Sequence, residues 1–106
     1  MMTIRDGNTI VIPRGDTGAV TVNLQGDIPD GSTACITVRY STAVPPVFSR
    51  EYVIRNDSFN FTMSSKDSNI APGDYLWDLR IKRGDNIDTP INAAPFIIEK
   101  VMSDVC

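Results

Sequence analysis

The sequence contains no histidine, only two glutamates beside eleven aspartates, and only three leucines beside twenty-one isoleucines and valines. Without imidazole there is no catalytic triad of the usual kind, no ready proton carrier near neutral pH and no His-ligated zinc or iron. Two cysteines, Cys35 and Cys106, are too few for a thiolate cluster that needs four protein ligands. Both are expected as free thiols, Cys35 as a small packed side chain within a strand, with a bond between them the alternative in an oxidising compartment. Long apolar runs are also missing. Those present, such as Ile10-Val11-Ile12 and Pro95-Phe96-Ile97-Ile98, fall far short of the roughly 20 residues of a membrane-spanning helix. The opening Met1-Met2-Thr3-Ile4-Arg5-Asp6 has no basic region followed by an apolar stretch, so no secretory signal is expected. A net charge of −3 argues against a general nucleic-acid binder, which needs a cationic surface to displace phosphate counterions.

What is present points to sheets. At 106 residues the chain is the size of one domain, and a single domain over residues 1–106 is expected. Branching at Cβ suits a pleated sheet and restricts torsion in a helix, so abundant Ile, Val and Thr favour strands. Asp gathers in turns by bonding nearby backbone, whereas the helix former Glu is scarce. The class is all-β.

Seven strand-like segments follow, separated by turn chemistry. Residues 9–12 come after the turn-like Asp6-Gly7-Asn8 and stop at Pro13. Arg14-Gly15-Asp16-Thr17-Gly18 reads as a loop. In 19–25, Val20, Val22 and Leu24 alternate with Thr21, Asn23 and Gln25, the period of a strand with one buried face. Residues 33–41 place Ala34, Ile36, Val38 and Tyr40 on one face and Thr33, Cys35, Thr37 and Arg39 on the other. After Pro45-Pro46, the irregular 47–54 with its Arg50-Glu51 pair suits a sheet edge, where charge discourages pairing with another chain. Asn56-Asp57 is a turn candidate. Phe59, Phe61 and Met63 then alternate with polar residues, and Ser64-Ser65-Lys66-Asp67 predicts one capped helical turn. Tyr75, Trp77, Leu79 and Ile81 give the clearest strand, Gly84-Asp85-Asn86 a turn, and the last strand falls within 91–101. About seven antiparallel strands at this spacing predict a two-sheet sandwich or small barrel.

The candidate sites are weak as chemistry. Arg80 and Lys82, with Arg83 beside them, share the outer face of one strand and read first as a solvated face. Gly15-Asp16-Thr17-Gly18 lacks the lysine and following helix of a nucleotide loop. Arg14-Gly15-Asp16 and Arg83-Gly84-Asp85 match the integrin-binding tripeptide but are ordinary turn sequences. Asp85-Asn86-Ile87-Asp88, or Asp27 with Asp30, offer oxygen ligands without an EF-hand spacing. Asn56-Asp57-Ser58 and Asn60-Phe61-Thr62 are glycosylation sequons by pattern only. No catalytic, cofactor-binding or metal-binding residue is nominated, no small-molecule substrate is evident, and the chain is expected not to be an enzyme.

Ile70-Ala71-Pro72-Gly73-Asp74-Tyr75 resembles the tyrosine corner of immunoglobulin-like domains, in which the phenol bonds back to the preceding turn. Trp77 stands where antibody domains have cysteine, so no disulfide between sheets is expected. Three segments in order extend the likeness: Ile10-Val11-Ile12-Pro13-Arg14-Gly15-Asp16-Thr17, Ile70 through Leu79, and Asp88-Thr89-Pro90 leading into Phe96-Ile97-Ile98. They resemble the immunoglobulin-like modules of bacteriophage tail and baseplate proteins, in particular the N-terminal domain of upper baseplate proteins. Such proteins usually continue into further domains, and the likeness carries over no catalytic residue. The resemblance implies a phage or prophage structural part, assembled in the bacterial cytoplasm and residing in the virion. Its implied partners are other virion subunits or further copies of itself. Docking is expected through a sheet edge or the apolar loop Ala43-Val44-Pro45-Pro46-Val47-Phe48. The alternative is a carbohydrate-binding or adhesive sandwich in which exposed Phe48, Tyr52 and Tyr40 stack on sugar rings.

Overall fold

A computed structural model describes residues 2–24, 28–41 and 43–101. Eight strands occur among them: β1 (Thr3–Arg5), β2 (Thr9–Pro13), β3 (Gly18–Asn23), β4 (Thr33–Arg39), β5 (Phe48–Val53), β6 (Ser58–Met63), β7 (Gly73–Arg83) and β8 (Asn86–Glu99). One short helix, α1 (Ser65–Ser68), lies between β6 and β7. The fold is all-β and two-layered. Six strands form one sheet in the order β1-β2-β8-β7-β4-β5, and β3 pairs with β6 in a second.

Two features correct the sequence reading. The strands are eight, because β1 adds three exposed residues with no alternation to reveal them. They are also not all antiparallel: β2 runs parallel to β8, with Ile10 opposite Phe96 and Ile12 opposite Ile98. Ile10, Val11 and Ile12 are all buried, as expected for a strand covered on both faces inside a sheet. The other expected strands form within a residue or two of their predicted places. The last is longer than expected, beginning at Asn86 in place of a start at or after residue 91.

The layers close on an aromatic core. Phe61 of the small sheet meets Phe48 and Phe96 of the large one at ring-centroid distances of 6.1 and 6.4 Å. Tyr52 stacks on Phe59 at 5.5 Å. Ile36, Val38, Trp77, Leu79 and Ile98 complete the buried face of the large sheet. The Trp77 indole N–H donates to the Asn8 carbonyl at 2.8 Å, so the turn Asp6-Gly7-Asn8 satisfies a buried polar group. Gly18 is required by closeness rather than by a turn. A methyl group there would sit 2.4 Å from Met2 Cβ, and Met2 is itself buried.

Local chemistry sets the connections. Asn56 and Asp57 both have positive φ (52° and 59°), the pair of angles that a tight hairpin needs, and join β5 to β6. Ser64 accepts from the Asp67 N–H while the Asp67 carboxylate accepts from the Ser64 N–H, a reciprocal cap that starts α1. Although one turn long, α1 is anchored: the buried Ser68 hydroxyl donates to the Asp16 carbonyl at 2.6 Å.

Candidate functional site

The outer face of the large sheet carries its most unusual geometry. In the β7–β8 hairpin the register slips twice, between Trp77 and Leu79 and again between Leu79 and Ile81. At the first slip Asn92 and Ala93 lie opposite Asp78; at the second Thr89 and Pro90 lie opposite Arg80. Each is a β-bulge, a device that re-aims side chains. Ala93 is held at φ 54°, a left-handed conformation uncommon for a residue other than glycine. Its N–H is fixed by Asp78 Oδ1 at 2.6 Å.

The side chains gathered here form an open groove of about 470 Å³ lined by Thr37, Arg39, Asp78, Arg80, Thr89 and Asn92. Cross-strand register explains the grouping, since Thr37 faces Asp78 directly and Cys35 faces Arg80 on the same side of the sheet. Arg39 Nη1 donates to the Val44 carbonyl at 3.3 Å, and Arg80 Nε donates to Thr89 Oγ1 at 3.4 Å. Arg39 Nε is shielded from solvent and without a partner among the described residues. Neither guanidinium forms a salt bridge with a described residue.

Cys35 borders this surface, half-buried and free, with its thiol directed at Glu51 Oε1 at 3.7 Å. Burial pushes the thiol above its ordinary pKa and the Glu51 carboxylate adds to the rise, while Lys82 and Arg80 oppose it. The thiol is therefore a poor nucleophile at neutral pH.

The other predicted residues fall as follows. Tyr75 makes the expected corner: its hydroxyl donates to the Ala71 carbonyl at 2.7 Å, and burial raises the phenol pKa. Phe48 and Tyr52 are not the exposed platforms expected for sugar stacking. Their strand register turns both toward the core, where Phe48 is buried and Tyr52 packs on Phe59. Tyr40 is 66% exposed and meets Tyr75 edge-on. Arg14-Gly15-Asp16 is a turn locked into the body, with the Arg14 N–H on the Glu99 carbonyl and the Gly15 N–H on Ser68. In the second tripeptide Arg83 pairs with Asp88 across the hairpin. Asp30 Oδ1 accepts from the Asn56 N–H at 3.0 Å, the turn role its neighbours suggested. No group of three His, Cys, Asp or Glu side chains suited to a metal occurs among the described residues. Asn60, on the exposed face of β6, accepts from the Thr21 hydroxyl. Gln25, Gly26, Asp27 and Cys106 lie outside the described residues.

The predicted edge is an edge. β5 ends the large sheet, and beside it Val44, Val47 and Val53 are 37%, 51% and 57% exposed, with Pro45 and Pro46 also exposed. Arg50 lies over the Phe48 ring, 4.4 Å from its centroid, and pairs with Asp67 at 2.9 Å, tying β5 to α1. A second cleft of about 470 Å³ opens between the sheets, walled by Ile4, Val22, Leu24, Leu79, Ile81 and Ile91. No helix among the described residues is long and apolar enough to cross a membrane. The chain matches no family model, no curated protein and no solved structure.

The groove was missed because its members are far apart in sequence. Arg80 was visible as one of a basic group, yet nothing local places Arg39, Thr89 and Asn92 beside it. The one available clue is Pro90 and Pro95 within a strand-like run, since proline in a sheet favours a bulge or an edge.

Proposed function

We propose that the chain is a non-catalytic, immunoglobulin-like structural module of a phage or prophage virion, of the tail or baseplate type, which docks to neighbouring subunits. The observation that carries the reading is where the three resembling segments lie. Ile10–Pro13 sits in β2, Phe96–Ile98 in β8 and Tyr75–Leu79 in β7, and these are three successive neighbours in the large sheet. The strand part of each segment thus falls in one packed unit, with residues 14–17 and 70–72 forming the turns that flank it. The Tyr75 to Ala71 bond supports the immunoglobulin-like part of the reading. The β5 edge, with Val44, Val47 and Val53 exposed beside Pro45-Pro46, supports docking, because unpaired edges and exposed apolar side chains are where chains join.

Two measurements test it. The gene is expected among tail or head genes, and a position remote from any virion genes refutes the virion role. Light scattering of the purified protein, alone and with the products of adjacent genes, is expected to show association that Val47→Asp together with Val53→Asp abolishes. A folded protein that stays monomeric with every neighbour refutes docking. The carbohydrate alternative loses two of its three stacking rings, since Phe48 and Tyr52 face inward.

A further inference from the structure

The geometry points to a binding site for an acidic sugar in the outer-face groove of β4, β7 and β8, recognised by Arg39 and Arg80 together with the polar side chains that the two bulges bring beside them. This goes beyond the docking role, which uses the β5 edge.

The argument begins with what the groove has left unspent. A guanidinium carries five N–H donors. Arg39 and Arg80 each direct one at a protein acceptor, at 3.3 and 3.4 Å, which are long bonds. Two such groups in one groove, without a salt bridge to any described residue, favour an oxyanion, and a carboxylate fits the guanidinium fork in the plane. The remaining lining decides which oxyanion. Asp78 commits one carboxylate oxygen to the Ala93 N–H. Its negative charge leaves the groove an excess of one positive charge, which disfavours a phosphate dianion and suits a single carboxylate. Thr37, Thr89 and Asn92 are neutral groups that donate and accept, the complement of sugar hydroxyls. A volume of about 470 Å³ is within the range of small-molecule sites.

The backbone gives independent support. Both bulges of the β7–β8 hairpin fall at this groove, one opposite Asp78 and one opposite Arg80, and Ala93 holds a strained positive φ within the first. Bulges concentrate beside functional sites because they re-aim side chains, and strained residues cluster there too. Continuing β8 without bulges would build an ordinary hairpin; two of them bring Thr89 and Asn92 into the groove.

The test is an NMR titration of the ¹⁵N-labelled full chain with D-glucuronate at low salt, with D-glucose, acetate and inorganic phosphate in parallel. Expected are saturable shifts with glucuronate at millimolar concentration, centred on Thr37, Asp78, Arg80, Thr89 and Asn92. Glucose and acetate are expected to bind about tenfold more weakly or not at all, since each offers only half of the complement. Arg80→Gln is expected to weaken glucuronate binding about tenfold or more while leaving distant resonances in place. Arg80→Lys, which keeps the charge and loses the fork, retains part of the affinity. No saturable shift with glucuronate, shifts centred elsewhere, or acetate or phosphate binding as tightly as glucuronate would overturn the proposal.

Discussion

Removing one oxygen atom tests the corner that closes β7 onto its preceding turn. Tyr75 is 6% exposed and its hydroxyl donates to the Ala71 carbonyl at 2.7 Å. Tyr75→Phe deletes that bond and leaves the ring packing intact. A hydrogen bond of this kind contributes about 0.5–1.5 kcal/mol net. Ala71 is itself exposed, so water can reach the abandoned carbonyl, and the loss should be near 1 kcal/mol, not the larger cost of a buried orphan. For a domain of this size that lowers Tm by roughly 4–8 °C. Urea unfolding followed by circular dichroism should show a lower midpoint with an unchanged slope. The pH dependence adds a second check. Burial raises the folded-state pKa of Tyr75, so the neutral phenol is the form that folding favours. Its contribution is complete below the unfolded value of about 10 and declines as pH rises above it. Phenylalanine has no proton to lose, so the deficit of Tyr75→Phe should shrink above about pH 10. A deficit below about 0.3 kcal/mol at neutral pH, or one that widens with alkali, would refute the corner as a stabilising device.

Other substitutions probe separate parts of the fold. Gly18→Ala forces a methyl group against Met2 Cβ and should cost about 1–3 kcal/mol, read by thermal melting. Asp78→Ala strips the Ala93 N–H of its acceptor and should cost about 1–2 kcal/mol, with amide exchange accelerated at residues 92–94. Ser64→Ala removes half of the reciprocal cap on α1 and should cost about 1 kcal/mol in urea unfolding. Alkylation of Cys35 in a Cys106→Ser background should be slow at neutral pH and rise only above the ordinary thiol range. Glu51→Gln should move that rise to lower pH, because the carboxylate holds the thiol pKa up.

Legibility followed the reach of local pattern. Alternation exposed β3, β4, β6 and β7, since one buried face leaves a period of two in the sequence. Asn56-Asp57, the Ser64 to Asp67 cap and the Tyr75 bond depend on neighbours within a few residues and could be read directly. What stayed hidden depends on distant partners. The unbroken burial of Ile10, Val11 and Ile12 was present as an apolar triplet, yet its parallel partner β8 lies at the other end of the chain. In β8 each bulge adds one residue and inverts the facing of those beyond it, so no single period runs through Asn86–Glu99. Phe48 and Tyr52 went astray for a related reason. An edge strand with a charge between two rings looks exposed, but Arg50 lies back over Phe48 and shields it.

The pairing of β2 with β8 has a temporal consequence. The seam at Ile10 and Phe96 joins two segments far apart in the chain, and the later one leaves the ribosome well after the earlier. Until β8 emerges, β2 and β7 are separated by a vacant lane, and the nascent chain carries two sticky borders where the finished sheet has none. Contacts this remote in sequence slow the search for the native state and prolong the exposure of aggregation-prone intermediates. Truncating the chain just before Ala94 should therefore yield a protein that clumps or recruits chaperones, whereas a chain that includes Phe96–Ile98 lets the sheet zip shut.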